Sequence, residues 1–384
     1  MLSCQKSRFN LADDITYINC AYMSPLMDTV SNAGKEGISL QEQPYRIRPE
    51  DFFYPVDEVR KGFSQLINSA DFRRTSIIPS ASYGIASAVQ NCPLRKGQNI
   101  VIIEEQFPSN YYAWHRAAKL QEAKIRVVAS PQGLNRAEAW NSRILEAIDQ
   151  NTSVVTLPQL HWADGCLFDL VAIREKTKKV GALMIIDGTQ SIGAYPFDLA
   201  EIEVDALVVA CYKWLLGPYS IGLAYYGPAF DSGIPIEESW INRKDSMDFQ
   251  HLVNYQEEYQ PMAGRYSVGE HSNFTLIPMV KAALDQLLEW GPAQIQDYCR
   301  MITKEALEQM KEMGCWFEGS ANRGEHLFGI RLSDAFDRTK LMEELKKNKV
   351  FVSLRGNAIR ISPHLYNDEE DMALLLECFN KSKR

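Results

Sequence analysis

Seven short apolar runs, rich in β-branched residues, constrain most strongly what this chain can fold into. Segments with helical periodicity lie between several of them, for example at residues 111–123 and 170–181. Continuous β-branched runs that alternate with helices are typical of a parallel sheet covered by helices on both faces. We therefore expect an α/β fold with a mostly parallel seven-stranded sheet, whose strands lie at residues 75–79, 99–104, 124–130, 153–158, 182–187, 206–211 and 221–227.

The pattern changes after Pro278. Amphipathic helical patterns at residues 279–291 and 302–314 are followed by strand patterns at 326–332 and 350–362, which indicates a smaller α+β C-terminal domain. Within this region, Trp290, Gly291 and Pro292 are typical of the end of a helix. The predicted organisation is an N-terminal segment near the active site (1–25), a large domain (26–261), an interdomain or interface segment with a helix (262–290) and a small domain (291–384).

Composition narrows the classes of function. The 41 basic and 49 acidic residues give a net charge of -8, which argues against a nucleic-acid partner. No apolar run approaches the roughly 18 residues that span a bilayer, and the opening residues carry no apolar signal segment. The eight cysteines are dispersed without metal-ligand spacing, as in a reduced cytosolic protein. These features predict a cytoplasmic protein that acts on a small molecule, with no metal and no membrane partner.

Asp187 and Lys213 carry the clearest chemical signal. Asp187 ends the apolar run of residues 183–186, and Lys213 follows the next run after room for a short helix and one strand. In open α/β sheets, ligands bind at the carboxyl ends of the strands. Pyridoxal phosphate (PLP) needs this pair, because a lysine forms its Schiff base and an acid keeps its ring nitrogen protonated. The residues therefore predict a PLP site.

The segments IIDGTQSIGAYPFD and ACYKWLLGPYSIGLAYY, together with RISPHLYN near the C-terminus, resemble the class V aminotransferases of PLP fold type I. That family also contains kynureninases, cysteine desulfurases and isopenicillin N epimerase-like proteins. The resemblance implies a large PLP-binding domain, a smaller C-terminal domain, and an active site built at the interface of a homodimer. It also implies that Lys213 and Asp187 are the catalytic residues.

The resemblance extends to further cofactor-binding residues. The segment IIPSASYG resembles the phosphate loop of the family, so Ala81 and Ser82 are expected to donate to the PLP phosphate. Tyr212 stands where kynureninase-like members place a phosphate-binding tyrosine. Phe107, in FPSN, resembles the aromatic residue that stacks on the PLP ring, where many desulfurases carry histidine.

Three more cofactor contacts follow from the same resemblance. Gln190 is expected to bind the PLP phenolic oxygen. His161 is expected to contact the ring or the substrate, although a buried structural histidine is an equal alternative at this position. In AGRYSVGEHSNF, the usual glycine–threonine pair is replaced by Gly269 and Glu270. Ser272 is the expected substitute that reaches the PLP phosphate of the neighbouring subunit.

The C-terminal region implies a substrate with a carboxylate. Arg360 is expected to bind the substrate α-carboxylate, because a guanidinium grips a carboxylate through two parallel bonds, and Arg355 is the alternative anchor. Asn19 and Tyr22, in the family-like opening YINCAYMSP, are expected near the substrate, unless this segment is simply a docked strand. The desulfurase loop with its catalytic cysteine is missing, because only residues 356–359 separate the two arginines and none is Cys or His.

Several functions remain open at this level. The expected function is that of a class V aminotransferase-type enzyme acting on an amino acid or keto acid. A PLP-dependent lyase or epimerase of the kynureninase-like or isopenicillin N epimerase-like kind is the alternative, because all of these reactions begin with the same lysine chemistry. A catalytically silent PLP-binding relative is disfavoured by the intact Lys213. An unrelated nucleotide-binding protein is disfavoured by the absence of GxGxxG and of GKS or GKT.

Overall fold

The computed structural model describes residues 2–384. None of the helices in this range is both long enough and apolar enough to cross a bilayer. The helices are α1 (Asp28–Gln41), α2 (Tyr54–Leu66), α3 (Ala81–Asn91), α4 (Ser109–Leu120), α5 (Arg136–Ala147), α6 (Leu170–Val180), α7 (Leu199–Ile202), α8 (Leu276–Trp290), α9 (Pro292–Glu312), α10 (Arg338–Lys347) and α11 (Glu369–Lys381).

The strands form one large sheet and two small ones. They are β1 (Thr16–Tyr17), β2 (Thr75–Ile78), β3 (Asn99–Ile103), β4 (Lys124–Val128), β5 (Thr152–Pro158), β6 (Leu183–Asp187), β7 (Ala206–Ala210), β8 (Gly222–Tyr226), β9 (Phe328–Arg331), β10 (Val350–Phe351), β11 (Ser353–Arg355) and β12 (Ala358–Ile361). The large sheet has seven strands in the order β2-β8-β7-β6-β5-β3-β4.

The large sheet confirms the prediction of a mostly parallel α/β fold. Strands β4, β3, β5, β6 and β7 pair in parallel, and all seven predicted runs form its strands. The exception is β8, which runs antiparallel to both β7 and β2. Its direction follows from the connection at residues 211–221, which contains no helix. Without a crossover helix the chain reverses at this point instead of returning to start a parallel strand.

Apolar side chains from the large sheet enter separate cores on its two faces. In β3, Val101 and Ile103 belong to one buried cluster, whereas Ile100 and Ile102 belong to the other. Successive side chains in a strand point to opposite faces, so a strand that is apolar at every position needs a core on both sides. Each fully buried Val, Ile or Leu side chain contributes about 1.5–3 kcal/mol. This burial holds the strand ends, and therefore the residues that follow them, in place.

The C-terminal residues form a second layered unit. Strands β11, β12 and β9 make an antiparallel sheet in that order, and residues of α9, α10 and α11 share its apolar cluster. The N-terminal segment joins this unit, because β1 pairs in parallel with β10 through Thr16 and Val350. Further along, the backbone N–H of Ser24 donates to the carbonyl of Tyr212 at 2.9 Å. Residues 16–24 therefore connect the C-terminal unit to the loop that carries Lys213.

Candidate active site

A cavity of about 340 Å³ lies at the carboxyl ends of the central strands. The ends of β6 and β7, the start of α3 and the loop after β3 contribute to its walls. Parallel strands end at a common edge, so residues far apart in the sequence meet there. Seven of the predicted site residues line this one cavity, namely Ala81, Ser82, Phe107, Asp187, Gln190, Tyr212 and Lys213.

Lys213 lies just after β7 and is buried, with 6% of its surface exposed. Its Nζ lies 5.4 Å from the centre of the Phe107 ring and 5.3 Å from that of Tyr212. Among the residues described, no carboxylate forms an ion pair with this amine. Burial lowers the pKa of Lys213 to about 8; Asp187 opposes this shift and the positive charge of Arg360 adds to it. A buried amine that loses its proton near neutral pH is suited to nucleophilic chemistry.

Asp187 is the last residue of β6 and is also buried. One of its carboxylate oxygens accepts a hydrogen bond from the backbone N–H of Thr189 at 3.0 Å. Burial raises the pKa of Asp187, and the hydrogen bonding of Thr189 and the charge of Lys213 only partly offset this effect. A buried carboxylate on a cavity wall is stabilised by a cationic partner, which a protonated ring nitrogen provides.

The start of α3 forms another part of the wall. Ser80 is the N-cap residue, and its Oγ accepts from the backbone N–H of Tyr83 at 3.2 Å and lies 2.9 Å from Ser82 Oγ. The backbone N–H groups of Ala81 and Ser82 belong to the first helical turn and so have no partner within the helix. Free N–H groups and the helix dipole together favour a phosphate at this position.

His161 lies outside the cavity, so its predicted contact with the ring is corrected. Its side chain is fully buried, with Nδ1 2.7 Å from Asp164 Oδ1 and Nε2 3.2 Å from the Glu105 carbonyl oxygen. These two partners hold the imidazole in the protein interior. The next residue, Trp162, lines the cavity instead and packs edge-on against Phe107 with ring centres 5.7 Å apart.

Arg360 lies near the cavity and is almost completely buried, with 1% of its surface exposed. Its Nη1 donates to the backbone carbonyl of Trp162 at 2.9 Å, while Nε and Nη2 have no partner among the residues described. Burial and the positive charge of Arg355 lower the pKa of Arg360 to about 9. Buried donors of this kind are costly unless an anion pairs with them. The side chain therefore suits a bound carboxylate.

The other predicted residues occupy different positions. Gln190 lines the cavity, but its Nε2 donates to the Ala21 carbonyl at 3.2 Å and its Oε1 accepts from Trp214 Nε1 at 2.8 Å. Asn19 is buried and accepts from Ser353 Oγ at 2.9 Å, whereas Tyr22 is 57% exposed.

Ser272 is buried beside a separate cavity near α1 and α2. It does not line the Lys213 cavity of its own chain.

Residues 48–375 match the family model for class V aminotransferases, which covers most of the chain. The chain belongs to this family. An uncharacterised aminotransferase of Bacillus subtilis, YcbU, is 27% identical over 317 residues, which cover 82% of this chain and 80% of the relative. A kynureninase of Cryptococcus neoformans is 26% identical over 320 residues, which cover 74% and 69%. The predicted family is confirmed, and the relatives span more than one reaction.

A solved structure supports the fold. The complex of the cystine C–S lyase C-DES with its product cysteine persulfide superposes with a TM-score of 0.83 at 17% identity, covering 97% of this chain and 99% of the lyase chain. The fold is therefore that of PLP fold type I. PLP is the cofactor of this family, and the side chains present fit it. A buried amine, a buried carboxylate and a helix start with free N–H groups all contribute to the same cavity.

Proposed function

We propose that this enzyme binds PLP in the Lys213 cavity and transfers the amino group of an amino acid to a keto acid. The observation that carries the proposal is the meeting of Lys213 and Asp187 in one cavity, with the partly unpaired guanidinium of Arg360 nearby. The amine binds the cofactor, the carboxylate binds its ring nitrogen, and the guanidinium binds the substrate carboxylate.

When bound, PLP supplies an electron sink for the bonds at the substrate Cα. Asp187 then holds a proton at the ring nitrogen, because the negative charge of the buried carboxylate stabilises the protonated nitrogen. Lys213 Nζ moves the substrate Cα proton, because a pKa of about 8 leaves part of the amine unprotonated at neutral pH. Phe107 lies close enough to Lys213 to pack against the bound ring. Ala81 and Ser82 bind the phosphate through the start of α3.

Arg360 orients the substrate. The Trp162 carbonyl holds one end of its guanidinium, which leaves Nε and Nη2 to bind the α-carboxylate. A fixed, planar donor pair restricts how the substrate can rotate, and this selects which bond at Cα is aligned for cleavage. Arg360 and Lys213 are themselves almost completely buried, so both side chains are shielded from bulk water.

Two features disfavour epimerisation and cysteine-based desulfuration. Lys213 is the one amine on the cavity wall, and a single base suits proton transfer within one face better than epimerisation through two bases. No cysteine in the described range lines the cavity. Cys20, whose Sγ lies 3.9 Å from the Lys213 carbonyl oxygen, is fully buried, and burial raises its pKa to about 12. A thiol in this state is a poor nucleophile.

The proposal is tested with a panel of amino acids and the PLP-loaded enzyme. Transamination predicts about one equivalent of keto acid per site without an acceptor, and many turnovers once a second keto acid is added. Continued product release without an acceptor would indicate a lyase reaction instead of transamination. Loss of chirality without product release would indicate epimerisation, and the absence of any reaction across the panel would support a catalytically silent relative.

A further inference from the structure

Three arginines share one face of the small antiparallel sheet. In this sheet Ser353 pairs with Arg360, and Ala358 pairs with both Arg355 and Arg331. Paired residues and residues two apart on a strand lie on the same face, so Arg331, Arg355 and Arg360 all do. The opposite face is apolar, since Ile330 and Ile359 belong to the buried cluster of the C-terminal unit. The three arginines, including Arg360 with its unpaired donors, therefore lie on the polar face of the sheet.

Only one of the three arginines has a carboxylate partner. Arg331 Nη2 lies 3.2 Å from Asp164 Oδ2. Neither Arg355 nor Arg360 forms an ion pair with any residue that the structure describes. Arg355 donates only to the carbonyl of its neighbour Leu354, at 2.7 Å. The charge of Arg355 lowers the pKa of Arg360 and also that of Lys213, which indicates an excess of positive charge around the site.

A second cavity, of about 620 Å³, adjoins the first at Trp162, whose side chain contributes to both. Arg355 lines this second cavity, and its guanidinium carbon lies 5.8 Å from the centre of a Trp162 ring. A substrate bound to Arg360 therefore has room for its own side chain next to Arg355.

The acidic residues of the second cavity are already engaged. Asp164 Oδ2 lies 3.2 Å from Arg136 Nε and equally far from Arg331, and its Oδ1 contacts His161 at 2.7 Å. Glu105 contacts Arg136 at 3.2 Å. Among the arginines that line this cavity, Arg355 is therefore the one that has no carboxylate partner in the described residues.

We propose that Arg355 binds a second carboxylate, so that the substrate is a dicarboxylic amino acid or its keto acid. This inference rests on the proposed function, in which Arg360 binds the α-carboxylate. A diagonal pair across two antiparallel strands has Cα atoms about 7–8 Å apart, so two guanidinium groups can grip the two ends of one short diacid. Glu105 and Asp164 balance the charges of Arg136 and Arg331, so the one uncompensated charge of Arg355 is neutralised by a single carboxylate and exceeded by a doubly charged phosphate. A planar carboxylate matches the arginine fork.

The test compares diacids with matched neutral or monoacid compounds on the PLP-loaded enzyme. Calorimetry measures the affinity of glutarate and of pentanoate, and kinetics measures the ratio of kcat/KM for glutamate over glutamine and for aspartate over asparagine. The variants are Arg355→Gln and Arg355→Lys, the second of which keeps the charge but loses the fork. Arg116→Gln, on the exposed face of α4, is the control that removes one positive charge elsewhere.

The wild-type enzyme is expected to prefer the diacid at least about tenfold in both measurements, the effect of one charge-assisted hydrogen bond. Arg355→Gln should lose this preference, Arg355→Lys should keep part of it, and Arg116→Gln should keep all of it. Equal affinity in the wild type, or a preference that survives in Arg355→Gln, would overturn the assignment. A glutarate preference that depends on Arg355 in an enzyme without transaminase activity would refute transamination and support the diacid subsite.

Discussion

Asp187 is the last residue of β6 and Lys213 follows the end of the neighbouring strand β7. The two residues line the same cavity, and each shifts the pKa of the other. The Asp187 carboxylate raises the pKa of Lys213, whereas burial and Arg360 lower it to about 8. In return, the lysine lowers the pKa of Asp187, which burial raises. A change of charge at one residue is therefore expected to shift the pKa of the other.

This balance predicts a pH dependence for cofactor capture. In the enzyme freed of PLP, the capture rate should rise with pH through about 8, because only the unprotonated amine reacts. Arg360→Gln removes a positive charge and should move the midpoint up, and Asp187→Asn removes a negative charge and should move it down. Stopped-flow absorbance measures the rates, with Arg116→Gln as the control. A wild-type midpoint near the ordinary lysine value of about 10.4 would contradict the account.

Asp187→Asn should retain part of the PLP but lose turnover by about 100-fold or more, the range expected when a positioned proton-holding group is removed. The amide cannot stabilise a protonated ring nitrogen as a carboxylate does. Steady-state kinetics and bound PLP per subunit are measured together, with Asp14→Asn on the exposed surface as the control. Near-normal turnover would show that Asp187 does not serve the ring nitrogen.

Ala81→Pro tests the phosphate end by removing one backbone donor from the start of α3. Ala81 is the first residue of α3 and follows an extended residue, so proline is tolerated, but its N–H donor is lost. We expect PLP affinity to fall about tenfold or more, with the unfolding free energy changed by less than about 1 kcal/mol. Glu369→Pro, at the first position of α11, is the matched control. An equal loss of affinity for pyridoxal, which lacks the phosphate, would count against phosphate binding here.

The sequence predicted the large sheet well because its strands carry a local signal. Each is a buried apolar run, and the helices between most of them require parallel crossovers. The antiparallel β8 could have been expected from the helix-free residues 211–221 that precede it. The pairing of β1 with β10 could not, because it joins Thr16 to Val350 and nothing local specifies such a distant partner.

The site was partly predictable for the same reason. Asp187 ends a strand and Lys213 follows one, and a run of apolar residues marks both strands. His161 and Trp162 also follow a strand, but which of the two side chains enters the cavity depends on Asp164 and Glu105, whose positions only the folded chain defines. No strand alternation marks Trp162, because β5 ends at Pro158 and Trp162 lies in a turn.

We also predict a homodimer with two-fold symmetry, in which residues 262–275 extend toward the neighbouring active site. Ser272 does not line the Lys213 cavity of its own chain, so Ser272→Ala should weaken PLP binding only if a second subunit is present. Analytical ultracentrifugation across a dilution series, with bound PLP measured at each point, tests this. A monomer with full PLP occupancy and activity would exclude the shared site.

The covalent role of Lys213 is the central claim, and one measurement tests it most directly. The PLP-loaded enzyme is reduced with borohydride and digested, and the peptides are mapped by mass spectrometry. We expect one modified peptide, which contains Lys213 and carries the reduced cofactor on that residue; the Lys213→Ala variant should give no label. A label on any other lysine of the wild-type enzyme, or an equal label in Lys213→Ala, would contradict the account.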